Sequence, residues 1–345
     1  MLELTEMLSA RPEPLWKLAK QCGVDTIVAT MDGAEQDQRM FAAIGHNPVG
    51  AGGPDFSIDS PDAPWSKSAI AHQQEVYADY GFGLSVIEDS PPLDLARLGL
   101  PGRDEQIESF IIQLRAMGAL GVPTLCYNWM AKTSWARTAV DIPTRGGALV
   151  TGFTRADAER LGDVIEPGEV TADQLWAGFE YFLDAVLPEA EKAGVRLALH
   201  PDDPPAPVVR GMPRIMSSVD SYRRVLAHSV SSSNAITLCQ GNFAMMTDDL
   251  PAVIREFGSE DRVAFVHFRD VVGTADDFVE TFHDAGQTDL AACMQAYYDV
   301  GFTGPIRPDH VPTMAGESNE RPGYATLGRL FALGYIRGLE DATIR

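Results

Sequence analysis

Five times along this chain a helical stretch closes on a glycine-bearing phrase and an apolar run follows: KQCGVD at 20–25, ADYGFG at 78–83, GALGVP at 118–123, EKAGVR at 191–196 and DVGFTG at 299–304. Glycine suits the position just past a helix because it enters the left-handed conformation without a Cβ clash. The apolar runs are short, and the segments between them carry helical periodicity, so the repeating unit is strand, helix, glycine, strand. Eight runs qualify as strands: 2–7, 24–29, 83–88, 122–127, 195–200, 235–239, 263–268 and 304–307. The first, LELTEM, also fits the start of a helix. A strand–helix unit repeated to eight predicts the α/β class and a (β/α)8 TIM barrel rather than an open doubly wound sheet. No GxGxxG follows the first run, which weakens a dinucleotide-binding reading.

No shift in composition divides the 345 residues, so a single domain spanning 1–345 is expected, with long loop insertions near 31–66 and 128–170. Both follow strands at the end of a barrel where loops form walls and lids. The 27 Lys and Arg against 49 Asp and Glu give a net charge of −22, which argues against nucleic acid or an anionic membrane as partner. The N-terminal stretch lacks a basic segment followed by an apolar one, and no run approaches the length of a membrane span, so the expected location is cytoplasmic. Cys22, Cys126, Cys239 and Cys293 are scattered and show no CxxC spacing, which fits free thiols and one ligand rather than a disulfide framework.

Four residues with metal-ligand chemistry end successive apolar runs: His200 after VRLAL, Cys239 after AITL, His267 after VAFV and Asp309 in GPIRPDH. Any one of them alone reads as a core or turn residue. At equivalent strand ends of one barrel, the four meet at a rim and define a metal site. Two imidazoles, a thiolate and a carboxylate suit Zn²⁺, Fe²⁺ or Co²⁺, and the carboxylate also tolerates Mn²⁺.

Groups suited to proton transfer and to polar recognition surround these four. Asp202 and Asp203 follow His200, although Asp before Pro also shapes turns. Arg269 and Asp270 follow His267, and His310 adjoins Asp309, where it can serve as a general base or acid. Arg307 precedes Asp309 by two residues, so in an extended strand both side chains face one side and a fixed cation stands beside the metal. Tyr127, Asn128, Trp129, Trp135 and Arg137 suit the lining of a polyol pocket. The segment 278–289, with Glu280, His283, Asp284, Gln287 and Asp289, reads as a loop over the site or as a subunit contact. Tyr222, Arg223, Arg224 and His228 read as a solvated helix face.

These phrases resemble the mannonate dehydratase family, metal-dependent lyases on a xylose-isomerase-like barrel. The matching stretches are CYNWM at 126–130, LALHPDDPP at 197–205, ITLCQGN at 236–242, VHFRDVVGT at 266–274, FVETFHDAGQTD at 278–289, GPIRPDHVPTMAGE at 304–317 and GYATLGRLFALGYIRG at 323–338. The resemblance implies His200, Cys239, His267 and Asp309 as ligands of Mn²⁺, His310 and Tyr324 as acid/base groups, and Arg307 as a contact to the substrate carboxylate or the transition state. Asn128, Asp202, Arg269 and His283, from the polar groups around these positions, are the expected substrate-binding residues. Departures fall in the N-terminal third, where LELTEML at 2–8 and VATMDGAEQ at 28–36 replace the family's FRWYG-like and ALHDIP-like phrases, and at CQGN (239–242), where the family has CTGS.

What the resemblance implies is dehydration of D-mannonate to 2-keto-3-deoxy-D-gluconate and water through an enediolate. The other readings are an isomerase, epimerase or different lyase acting on another polyhydroxylated substrate, and a barrel that binds a sugar acid without catalysis. A small sugar acid or polyol is the expected partner, and a homo-oligomer, a dimer first, the expected assembly.

Overall fold

The structure, a computed structural model, describes residues 1–31, 60, 62–166 and 168–344. The insertion expected at 31–66 lies largely outside the described residues. In chain order the strands are β1 Glu3–Leu8, β2 Thr26–Ala29, β3 Gly83–Ile87, β4 Thr124–Asn128, β5 Ala139–Pro143, β6 Leu149–Thr154, β7 Arg196–His200, β8 Val208–Val209, β9 Met212–Pro213, β10 Asn234–Cys239, β11 Val263–Phe268, β12 Val271–Thr274, β13 Asp277–Glu280 and β14 Pro305–Pro308. Eight close a barrel in the order β1-β14-β11-β10-β7-β4-β3-β2, and every neighbouring pair is parallel. All eight expected runs are present, LELTEM as strand β1.

Local chemistry explains where the helices start and stop. Thr171, Asp249 and Asp289 each accept a hydrogen bond from a first-turn amide, capping the helices Ala172–Ala193, Leu250–Ser259 and Leu290–Asp299. Such caps contribute about 1 kcal/mol each. At the other end of the first of these, Gly194 turns the chain at φ +67 and β7 begins two residues later. The glycine phrases therefore act as the sequence implied.

Two apolar layers follow from the period-two alternation of the strands. One face of each strand packs outward against the helices; around Phe182, for example, the rings of Phe110, Tyr127 and Trp129 lie 4.9, 5.7 and 5.0 Å away. The inner faces fill the barrel with Met7, Val28, Val86, Cys126, Ala198, Ala235 and Phe265. The centre is packed, and chemistry is confined to the strand ends.

A four-stranded antiparallel sheet of order β12-β13-β6-β5 forms from connections that follow β4 and β11. It uses both the 128–170 insertion and the start of the 278–289 segment, so ordered strands stand where loops were expected. Its β6 also bridges Thr313, tying the sheet to the chain just beyond β14. The helix Val219–His228 differs from the expected solvated face in one respect. Tyr222 is fully buried against Phe243, while Arg223, Arg224 and His228 reach Glu256, Glu180 and Asp184 on its outer side. Tyr222 falls on the same stripe as Val219, Val225 and Leu226, and its ring follows them inward. Among the described residues, no helix is long and apolar enough to cross a membrane.

Candidate metal centre

Inward-facing parity places the functional groups. Along β7, Ala198 fills the barrel and His200, two residues on, faces the same way; Phe265 and His267 repeat the relation on β11, and Ala235, Thr237 and Cys239 on β10. On β3 the same step runs from Val86 to Glu88, immediately past the strand. The site is the layer of side chains directly above the apolar filling.

His200, Cys239 and His267 offer ligand atoms that all lie within 4.8 Å of one another. The His200 ring donates from Nδ1 to the Pro201 carbonyl at 2.7 Å, which leaves the Nε2 lone pair to meet Nδ1 of His267 at 3.2 Å. Asp309 sits beside this trio, its Oδ2 3.6 Å from His267 Nδ1. Its carboxylate is held by Arg307 Nη1 at 2.9 Å and by Arg269 Nε at 3.1 Å, and the Tyr324 hydroxyl donates to it at 3.3 Å. Burial raises the Cys239 thiol, but the Arg269 guanidinium and the two histidines outweigh it and bring the group down to about 5. A thiolate, two converging ring nitrogens and an adjacent carboxylate fit a divalent transition-metal ion.

The same geometry fixes where protons go when a metal enters. With Nδ1 of His200 committed to a carbonyl, two nitrogens at 3.2 Å must share a proton in the metal-free protein. Burial and Arg307 push His267 toward neutrality, but Glu88 and Asp309 prevail and hold it well above the usual histidine range. Metal uptake near pH 7 is therefore expected to release about one proton, from the imidazole pair and not from the thiol. Calorimetric titration in buffers of different ionisation enthalpy counts it; release of two protons would show that Cys239 enters as a thiol.

His310 occupies the left-handed region at φ +40, directly after Asp309, with Trp135 edge-on at 5.3 Å and the Tyr324 ring at 5.4 Å. Its Nε2 lies 3.7 Å from Asp309 Oδ2. Burial, reinforced by Arg137 and Arg269, holds it well below the ordinary histidine range against the pull of Asp309, so the ring is neutral. Tyr324 is shifted the opposite way, upward by burial and Asp309, so its hydroxyl keeps its proton. A neutral imidazole and a protonated phenol therefore stand on the same side of the centre.

Beneath them lies a fully buried ion network. Arg137 donates to Asp203 at 2.7 and 3.0 Å and to Glu280 at 2.5 Å. Arg269 donates to both oxygens of Glu280 at 2.9 Å, to Asp203 at 2.9 Å and to the Asn242 side chain at 2.6 Å. The phrase CQGN fits this arrangement. A Cβ at Gly241 would stand 2.4 Å from Arg269 Nη1 and displace the guanidinium from its partners, so a glycine keeps Arg269 in place, and Asn242 supplies the acceptor beside it.

The remaining expected site residues divide by their partners. Arg307 is engaged at all three nitrogens, by Glu88, the Pro308 carbonyl and Asp309, so it orients neighbours and carries charge rather than presenting a free fork. Asp202 binds the Met216 amide at 2.7 Å and Arg214 at 3.5 Å, pinning the loop after β7. The Asn128 side-chain oxygen accepts from Arg97 and the Met130 amide. His283 donates from Nε2 to the Phe268 carbonyl at 2.6 Å, and its buried Nδ1 makes no hydrogen bond among the described residues. Glu88 went unnoticed in the sequence; its signal was its place at the trailing end of a candidate strand.

An eight-stranded parallel barrel with imidazole, thiolate and carboxylate groups gathered at its strand ends is the architecture of a barrel enzyme that works at its C-terminal face. A profile of the family described as D-mannonate dehydratase (UxuA) matches residues 20–166 and 157–345. The chain belongs to the D-mannonate dehydratase family, whose members are carbon–oxygen hydro-lyases. It is 33% identical over 304 residues to mannonate dehydratase 2 of Halalkalibacterium halodurans, covering 81% of this chain and 88% of that one. It is 32% identical over 307 residues to the mannonate dehydratase of Streptococcus suis strain 05ZYH33, covering 81% and 84%. The crystal structure of mannonate dehydratase from Streptococcus suis serotype 2 superposes with a TM-score of 0.85 at 28% identity, covering all of this chain and 95% of that one. A 3-keto-D-glucoside 4-epimerase from E. coli shares the fold at a TM-score of 0.60 and 12% identity, covering 98% of this chain and all of that one.

Proposed function

We propose that the chain dehydrates D-mannonate to 2-keto-3-deoxy-D-gluconate and water, with Mn²⁺ held by His200, Cys239, His267 and Asp309. The observation that carries this reading is the pairing of a neutral His310 with a protonated Tyr324 beside the converging donors, in a chain of this family. When bound, the ion supplies a Lewis acid that neutralises charge developing on the substrate carboxylate and C2 oxygen. A proton next to a carboxylate is very weakly acidic, so the base that takes it must be unprotonated at neutral pH and close to that charge sink. His310 meets both conditions and removes the C2 proton. Tyr324 keeps its proton until the C3 hydroxyl leaves, then donates it, so the hydroxyl departs as water. The enol that remains becomes the 2-keto product by proton transfer to C3. Arg307 and Arg269 hold Asp309 in place, and His283, whose Nδ1 has no hydrogen-bond partner among the described residues, is assigned as an acceptor for a substrate hydroxyl in this reading.

The test is turnover of D-mannonate by metal-stripped protein reconstituted with Mn²⁺, following the 2-keto-3-deoxy product. Formation of product that depends on added Mn²⁺, and its loss in Cys239→Ser, is the expected result. Stoichiometric metal binding without product from D-mannonate would discard the substrate and leave the centre.

A further inference from the structure

The two histidines of the centre present different ring nitrogens to it. His200 directs Nε2 inward because Nδ1 donates to the Pro201 carbonyl; His267 directs Nδ1 inward, and its Nε2 points the opposite way. An imidazole offers one lone pair per neutral tautomer, and the acceptor opposite decides which nitrogen keeps the proton. For His200 that acceptor is backbone. For His267 the charged group nearest Nε2 is Glu88, with Oε2 at 3.3 Å, an ion-pair contact and the closest carboxylate to a ring nitrogen that has no hydrogen bond among the described residues.

Glu88 also reaches the fourth ligand. Its Oε2 accepts from Arg307 Nε at 3.0 Å and its Oε1 from Arg307 Nη2 at 2.8 Å, a two-point grip that fixes the guanidinium plane. The remaining arm of that guanidinium donates to Asp309 Oδ1 at 2.9 Å. One carboxylate thus sits behind a ring ligand directly and behind a carboxylate ligand through an arginine.

We propose that Glu88 is a positioning residue of the metal centre: it fixes the His267 tautomer that presents Nδ1 to the ion, and through Arg307 it sets the orientation of Asp309. The inference rests on the metal-centre reading above. A competing use of the same atoms exists, because Glu88, Cys126 and His267 also offer three ligand atoms within 4.8 Å of one another. Their chemistry opposes a second ion. Both Glu88 oxygens already accept from a cation, and the Cys126 thiol accepts from Thr237 Oγ1 and packs within the apolar filling of the barrel.

The experiment compares the full chain with Glu88→Gln after chelator stripping. Affinity for Mn²⁺ and Zn²⁺ is measured by chelator competition, ions bound per chain are counted, and nitrogen–proton correlation spectra are recorded on the histidine-labelled, Zn²⁺-loaded wild type. A neutral amide cannot both accept from His267 and satisfy Arg307 as a carboxylate does, so Glu88→Gln is expected to bind metal 10- to 100-fold more weakly. The wild type is expected to bind one ion with His267 protonated at Nε2. A folded Glu88→Gln with wild-type affinity, a His267 proton on Nδ1, or two ions per chain would each overturn the proposal. Should the variant fail to fold, the wild-type spectrum decides alone. A wild type that binds neither ion would remove the metal-centre reading, and this inference with it.

Discussion

Replacing His310 by Asn is expected to lower kcat on D-mannonate by about 10²–10⁴-fold, the loss typical of removing a general base. Asn is the informative replacement because the residue sits at φ +40, and Asn tolerates the left-handed region better than most residues. Metal content and KM are expected to change little, since His310 is 3.7 Å from the nearest Asp309 oxygen and is not among the converging ligand atoms. Equal losses in metal content and kcat would show instead that His310 supports the centre.

Hydrogen exchange at C2 separates the base from the acid. In heavy water, Tyr324→Phe should still exchange the C2 proton of D-mannonate while failing to dehydrate it, because the base is intact and only the departing hydroxyl lacks its proton. His310→Asn should do neither. The opposite pattern would exchange the two roles, placing the base on Tyr324 despite the upward shift that burial and Asp309 impose on it.

The barrel and the places of the candidate ligands were legible for one reason. A parallel strand has period two and its C-terminal end carries the site, so a residue type at the end of a run predicts both direction and depth. His200, Cys239 and His267 obey that rule within single strands, and Asp309 obeys it one residue beyond β14. Glu88 obeys it too, but a strand-end Glu reads as an ordinary surface residue until Arg307 and His267 are seen beside it. Tyr324 has no such signal, because it precedes the helix Thr326–Ile344 and reaches the centre from a connection. The ion network was out of reach for a different reason. Arg137 meets Asp203 across 66 residues and Glu280 across 143, and no local pattern relates groups at that separation. Asp202 and Asp203 show the limit most clearly. Adjacent and alike in sequence, one pins a loop amide and the other balances two buried arginines.

Replacing Arg269 by Met is expected to cost about 3–5 kcal/mol of stability, the range for removing one partner from a buried ion cluster. Among the described residues Arg269 alone touches Glu280, Asp203, Asn242 and Asp309 together, and Met occupies similar space without donating to any of them. Arg137 still serves Asp203 and Glu280, and burial already lifts Glu280 to about 7, so that carboxyl can protonate and limit the loss. Asp309 keeps Arg307. Cys239 has no such reserve: among the groups that hold its thiol down, Arg269 is the largest opponent of burial. Its depressed value is a contribution present above the ordinary thiol range and lost as pH falls through about 5; without Arg269 the thiol climbs and that contribution goes. Urea midpoints measure the first effect and metal affinity near pH 7 the second, with Arg223→Met as the reference because its partners Asp220 and Glu256 lie on the surface. That exposed substitution should shift stability by less than about 1 kcal/mol. If the two variants unfold alike, the buried charges do not act as one ionised cluster. If Arg269→Met unfolds early yet binds metal normally, the arginine stabilises the barrel end without setting the thiolate.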